Sequence, residues 1–477
     1  MKQLHKNISF TGASKLFTTA LAFILVPVAT RSLGPDHFGI YTLATTIGFF
    51  VTLLADFGVS TLVTREISKH QNIASHLFSR ALVLKVLLAI FAIILLSIYF
   101  ILSSYSDLEL KTILIFILSS LLGTFTLVAY SVFRGFQFMQ YEALGESLDK
   151  FISVSIGIVL LLLGFGVRTF VISFVIAAVV KFVLSFRLLY RKFIKLKVRW
   201  MPRQSMIMFH ASLFFGLSRF LAISYNYLDI LMLKAMSSVT DISFYSGAYK
   251  LLNLSSIIPT ILATAFLPQF SKYFSDYKKL SELFSKGAGY LLIVIFPLIP
   301  IVLLYARPIM VLYCGPDFAP SAPAFQILVL AAGAQMLNIF FVPLYAAIDA
   351  QKKVVHFQIV GLLVNIGLNL ILIPKLSYIG ASIATVCTEI TIFAFIYRWI
   401  KKKINERIFP DFHYIGNILV STAFVVGVIL ATLHANISLI PSLFIVMVIY
   451  GGALQLFHII DWTRILRTIT RMMLRKN

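Results

Sequence analysis

Ala81-Leu82-Val83-Leu84-Lys85-Val86-Leu87-Leu88-Ala89-Ile90-Phe91-Ala92-Ile93-Ile94-Leu95-Leu96-Ser97-Ile98-Tyr99-Phe100 carries a single charge, Lys85. A helix of about 20 residues rises about 30 Å, which is the thickness of a bilayer's hydrocarbon core. Comparable blocks recur along the chain. Fourteen are expected, centred near residues 20, 50, 90, 122, 154, 178, 220, 256, 297, 331, 363, 388, 423 and 448. None has the strict alternation of a lipid-facing strand. A helix pairs its backbone groups within its own segment, as hydrocarbon requires. The reading is an all-α integral membrane protein with about fourteen transmembrane helices.

Composition agrees. Of 477 residues, 60% are hydrophobic and 12% charged, against about 45–50% and about 25% in soluble domains. Mean hydropathy is +0.95, which excludes a water-soluble enzyme and a disordered chain. The 44 phenylalanines suit lipid-facing helices. Pro27, Pro259, Pro268, Pro297, Pro300 and Pro343 fall inside or near span ends and predict kinks.

Lys and Arg number 41 against 18 acids. In a soluble chain that would suggest nucleic acid. Here positive-inside loops and anionic headgroups account for it, and no nucleic acid is expected. With the N-terminus in the cytoplasm, the inner segments hold 30 basic residues and the outer connections six; five lie within spans. Both termini are therefore expected in the cytoplasm. Cys314 and Cys387 are isolated and the nine histidines do not cluster, so neither a metal nor a cofactor is expected. Phe10 to Val28 is of membrane length without an Ala-x-Ala-like site, so no cleavable leader is expected.

The longest inner connection, Arg187 to Arg203, carries seven basic residues and divides the chain in the middle. Shifting the chain by 204 residues lays Phe10-Thr11-Gly12-Ala13-Ser14-Lys15 on Phe214-Phe215-Gly216-Leu217-Ser218-Arg219, and Tyr41 and Ala44 on Tyr245 and Ala248. Later the offset becomes 214, matching Gln137 to Gln351 and Gly166 to Gly380. Two copies of a six-helix unit follow. Six is even, so the repeats are parallel, an arrangement in which substrate binds between halves that rock. The expected organisation is a lobe over 1–195, a second over 196–405, an added helix pair over 406–460 and a basic tail over 461–477. In that tail Arg464, Arg467, Arg471 and Arg475 recur at helical spacing, as in an amphipathic helix lying on the inner surface.

Arg31-Ser32-Leu33-Gly34-Pro35-Asp36-His37-Phe38-Gly39-Ile40-Tyr41 resembles the first outer turn of the polysaccharide-exporter branch of the MOP superfamily. Ala55-Asp56-Phe57-Gly58, Phe133-Arg134-Gly135-Phe136-Gln137, Asn365-Ile366-Gly367-Leu368-Asn369 and Gly380-Ala381-Ser382-Ile383-Ala384-Thr385 follow in the family's order, and the span number matches the O-antigen flippases called Wzx. The resemblance implies a MATE-like fold of two six-helix lobes. It also implies a substrate: an oligosaccharide on undecaprenyl diphosphate, carried from the inner to the outer leaflet of the bacterial cytoplasmic membrane for O-antigen or capsular polysaccharide. Membrane lipids, and a polysaccharide polymerase and chain-length regulator, are the partners it implies.

Charges inside spans are the candidate site, because each is costly unless it faces a cavity or a partner. Lys15 and its repeat-mate Arg219 would face a cleft between the lobes and attract a diphosphate or acidic sugar, with Lys250 lining its outer part. Glu389, near the middle of its span, is the leading candidate for ion coupling; pairing with Lys181 is the alternative. Asp229 is a second candidate carboxylate. Asp56 is a third, with Arg65 or Lys15 as its expected partner. Arg31 and Arg65 are candidate gates. Lys85 is expected to snorkel. Asn365 and Asn369 share a helix face and are expected to bond across helices. Asp107-Leu108-Glu109 reads as a solvated turn.

A MATE-type cation exporter would call for a more acidic interior. A membrane polymerase or glycosyltransferase would call for a large outer loop, whereas the outer connections are mostly short. No phosphate loop, nucleophile elbow or zinc spacing is present, so no enzyme is expected. A scaffold would leave cations at matched repeat positions unexplained.

Overall fold

The computed structural model describes residues 2–194 and 202–459. The basic tail over 461–477, with its arginine spacing, lies outside the described residues, as does part of the connection from Arg187 to Arg203. The helices are α1 (Lys2–Asp56), α2 (Val59–Lys69), α3 (Ala74–Leu102), α4 (Asp107–Gly135), α5 (Met139–Leu162), α6 (Val167–Lys192) and α7 (Pro202–Met236). They continue as α8 (Val239–Leu254), α9 (Ile257–Lys272), α10 (Tyr277–Cys314), α11 (Ala322–Ala347), α12 (Gln351–Ile404), α13 (Phe412–His434) and α14 (Leu439–Leu456). Among the described residues there is no strand.

Among the described residues, eleven helical stretches are long and apolar enough to cross a membrane. Two of them are pairs: α1 breaks at Gly34 and α12 at Ser377. Counting each pair as two and adding the more polar α5, 24 residues long, gives fourteen segments at the positions the hydropathy blocks predict. The breaks have local causes. Gly34 takes φ 69° and ψ 176°, open to glycine. Pro35 follows it, disfavours a helical residue before itself, and suits the first turn of the next helix. Pro27, Pro268, Pro297, Pro300 and Pro343, by contrast, are carried inside continuous helices.

The chain divides into two compact units, Met1–Ser246 and Gly247–Asn477. In the first, α1 packs on α4 and α5, and α4 and α5 on α6; α7 packs on α1, α2 and α3. The sidedness of α3 is that of a membrane helix. Ile90, Phe91, Ile94, Ile98 and Ile101 are exposed, while Lys85, Ala89 and Ala92 are buried. The short helix α2 is amphipathic: Val59, Leu62, Val63 and Ile67 enter a core with Phe78, Tyr130 and Phe133. In the second unit α11 packs on α9, α10 and α12. The pair α13–α14 packs on α10, where Tyr305 meets Val425, Ile429 and Val446 and its hydroxyl bonds Thr432 Oγ1 at 2.6 Å.

Candidate functional site

The site starts from a corner of small residues. Asp56 ends α1, and Gly58 turns the chain into α2 at φ 80°. Gly216 of α7 lies directly against this corner. A Cβ on Gly58 would collide with the Gly216 amide nitrogen, and a Cβ on Gly216 would collide with the Phe57 ring. Two glycines thus let α7 approach closely enough for its next turn, which carries Arg219, to reach Asp56.

Both the Asp56 and Lys85 side chains are 0% exposed, and Lys85 Nζ lies 2.7 Å from Asp56 Oδ1. Ser60 Oγ donates to the same oxygen at 2.5 Å. Lys85 also donates to Ser60 Oγ at 3.0 Å and to the Thr124 carbonyl at 2.5 Å. The other carboxylate oxygen, Oδ2, receives Arg219 Nη1 at 3.3 Å, and the Arg219 side chain is 36% exposed. A buried charge is tolerated when paired and hydrogen-bonded. Here one carboxylate neutralises a buried ammonium and also positions a guanidinium that stays partly exposed. Guanidinium has five N–H donors, so the Asp56 bond leaves Arg219 capacity for an anion.

Two expectations are corrected here. Lys85 does not snorkel; it lies too deep in the packing of α3 with α4, and its charge is met by Asp56. Asp56 does not pair with Arg65 or Lys15. Arg65 bonds Glu66 at 2.7 Å and lies over the Phe215 ring at 5.4 Å.

Lys15 lies on an exposed stretch of α1 that lines a cavity of about 350 Å³, with Arg134 of α4 and Glu142 and Glu146 of α5. Arg134 and Glu142 are ion-paired. Lys181 pairs with Asp149 at 3.2 Å and Glu146 at 3.6 Å, two acids of its own unit. The acids Glu142, Glu146 and Asp149 recur along one face of α5. That spacing is visible in the sequence but goes unused there, because α5 begins at Met139, earlier than its apolar block.

Asp229 of α7 is buried and accepts from the Tyr245 hydroxyl at 2.6 Å. Glu109 is also buried. It completes a capping box with Ser106 and receives Lys234 at 2.6 Å. Asp107-Leu108-Glu109 is therefore not a solvated turn but the first turn of α4, joined to the end of α7. Asp107 itself is exposed and pairs with Lys111 and Arg168. Arg31 is exposed, just before the break at Gly34.

In the second unit, Glu389 is buried on α12 and accepts from Asn338 Nδ2 at 2.9 Å. Sequence reading misses Asn338, which lies one turn after Gln335 in an otherwise apolar run. Lys250 of α8 is half-buried. Asn369 donates to Asn365 at 3.0 Å along their own helix, and both side chains are buried.

Comparison with known proteins gives a consistent result. A family model described as polysaccharide biosynthesis protein matches residues 4–274. A second, lipid II flippase MurJ, matches residues 149–450. A probable low-salt glycan biosynthesis flippase, Agl15, of Haloferax volcanii is 20% identical over 78% of this chain and 78% of its own length. The succinoglycan biosynthesis transport protein ExoT of Rhizobium meliloti is 23% identical over 70% of this chain and 67% of its own. An uncharacterized membrane protein of Methanocaldococcus jannaschii is 26% identical over 56% of this chain, and the match spans about half, 51%, of that relative. In fold the chain is similar to a structure of the lipid II flippase MurJ, with TM-score 0.76, 16% identity and coverage of 94% of this chain and 99% of that one. It is also similar to a MATE-family multidrug transporter, with TM-score 0.64, 16% identity and coverage of 81% and 94%. The order of the sequence motifs, the all-helical membrane fold and a family match over more than half its length together place this chain in the polysaccharide biosynthesis protein family, the flippase branch of the MOP superfamily.

Proposed function

We propose that the protein translocates an oligosaccharide linked through diphosphate to undecaprenol, from the cytoplasmic to the outer leaflet of a bacterial cytoplasmic membrane, by alternating access. The observation that carries this reading is Arg219: a guanidinium inside a membrane span, held by a buried carboxylate and still partly exposed. Such a group suits a diphosphate or an acidic sugar, because Arg meets phosphate oxygens bidentately while Lys acts as a point charge. Lys15 and Lys250 are proposed to add positive charge along the path. Arg31 and Arg65 are proposed gates. Glu389, Asp229 and Asp56 are the candidate carboxylates for coupling or ion pairing, and Asp56 in this reading fixes Arg219. The polymer, O-antigen or capsule, would be completed by a polymerase and chain-length regulator acting on the exported unit.

The test is deletion of the gene in its host, followed by labelling of undecaprenyl-linked oligosaccharide with a probe confined to the outer face. Unlabelled, unpolymerised lipid-linked sugar accumulating in the deletion strain is the expected result. Normal outer-face labelling with an altered linkage or chain length would point to an enzyme. An unchanged glycan with altered drug tolerance would point to the MATE-type exporter that shares this fold.

A further inference from the structure

Two charged junctions hold α7 to its neighbours, and they are built differently. Near the C-terminal end of α7, Lys234 reaches Glu109 of α4 at 2.6 Å, with side chains 15% and 7% exposed. Among the described residues Glu109 has no other cation within ion-pair distance. Parting the helices there would strand a buried carboxylate, which is strongly unfavourable. In the N-terminal half of α7, Arg219 meets Asp56 Oδ2 through one nitrogen at 3.3 Å. This carboxylate has a second cation. Lys85 lies 2.7 Å from Oδ1, and Ser60 Oγ donates to the same oxygen at 2.5 Å.

The origin of each group decides what happens when α7 moves. Asp56, Ser60 and Lys85 belong to α1, α2 and α3, and only Arg219 comes from α7. If Arg219 leaves, Asp56 remains paired and hydrogen-bonded, so no buried charge is stranded. Lys85 and Arg219 against Asp56 also give the triad a net charge of +1, which Arg219 carries on its exposed side.

We propose that the Asp56–Arg219 pair is a latch on the N-terminal half of α7, that an anionic group of the substrate opens it by taking Arg219, and that Lys85 is the positioning residue that makes this release possible. The inference rests on the diphosphate-linked substrate proposed above. A diphosphate engaging Arg219 as a fork sets negative charge beside Asp56 Oδ2, and the like charges repel. Lys85 keeps the carboxylate neutralised throughout. The Lys234–Glu109 junction stays closed, so α7 leaves the corner between α1 and α2 and pivots at its C-terminal end.

The experiment uses the full chain in lipid nanodiscs with undecaprenyl diphosphate as the probe. Affinity is compared for the parent, Lys85→Met, and Lys85→Met combined with Asp56→Asn. The double variant keeps the net charge of the site, because Arg219 remains alone, so its affinity reports the latch and not the field. It should bind at least about fivefold more tightly than the parent; Lys85→Met, whose Asp56 has only Arg219, should bind at least about fivefold more weakly. The double variant carries the test even where Lys85→Met folds poorly. Spin labels on Lys69→Cys and Gln204→Cys, both exposed positions, follow the N-terminal junction, and labels on Lys111→Cys and Ala235→Cys follow the other. Cys314 and Cys387 are replaced by alanine for this purpose. Saturating probe should lengthen the first distance and leave the second unchanged. The double variant should show the longer distance without probe.

Equal affinity of parent and double variant would make Lys85 a purely structural residue and overturn the proposal. Bound probe that leaves the first distance unchanged, or lengthens the second, would overturn the latch while the diphosphate reading stands. No binding by either protein would sink that reading, and the latch trigger with it.

Discussion

Asp56 divides its two carboxylate oxygens between Lys85 at 2.7 Å and Arg219 at 3.3 Å, one fully buried and the other partly exposed. The partners come from α3 and α7, and Arg219 is 163 positions from Asp56 in the chain. The carboxylate therefore joins a structural charge to a candidate functional one.

Removing Lys85 strands Asp56 as a buried anion. Lys85→Met should cost about 3–5 kcal/mol, the usual penalty for breaking a buried pair. Asp56→Asn in the same chain should restore much of that, because the uncompensated charge is gone. Thermal unfolding in detergent reads both. A Lys85→Met protein as stable as the parent would show that the pair contributes nothing to the fold.

Arg219→Ala removes only the exposed partner. Export of the proposed substrate should fall steeply while the unfolding temperature stays near that of the parent. Arg219→Lys should restore export only in part, since a point charge cannot replace a planar fork of donors. Full export by a normally expressed Arg219→Ala protein would exclude an essential role.

Gly216→Ala tests the corner that delivers Arg219. Its Cβ would meet the Phe57 ring and carbonyl, so α7 must move away. Both stability and export should decline, even though no charge is altered. Gly12→Ala is the matched control. It is the repeat-mate of Gly216, but its Cβ would meet nothing within 4 Å. That change should be neutral, or stabilising by up to about 1 kcal/mol from helix propensity.

Glu109 and Lys234 join α4 to α7 at 2.6 Å. Glu109→Ala removes the ion pair and the capping box together and should destabilise by roughly 2–3 kcal/mol. Lys234→Ala leaves the cap in place but strands Glu109 as a buried anion, so it should cost at least as much, about 3–5 kcal/mol. A Lys234→Ala protein as stable as the parent would show that the pair contributes nothing to the fold.

Glu389→Gln keeps an acceptor for Asn338 while removing the charge. Under the coupling proposal, the variant should fold normally and lose dependence of transport on the ion gradient. Gradient-driven transport equal to the parent's would leave Glu389 a packing residue.

Membrane insertion depends on local apolarity, and that is written residue by residue. The run from Ala81 to Phe100 is a span whatever packs beside it, and the fourteen blocks fix an all-helical membrane protein. The pairing of Gly34 with Pro35 marks a chain break through its own dihedral limits. Which charges meet is a different matter. The α3 helix is apolar on nearly every side, so nothing in its sequence says that Lys85 turns inward and not toward the headgroups. Glu109 looks solvated until Lys234 arrives from another helix. Gly12 and Gly216 occupy equal positions in the repeat, yet only Gly216 is packed against another backbone. Such differences arise from the rotation and close approach of helices distant in sequence. Hydropathy does not encode them, because lipid and protein neighbours are almost equally apolar.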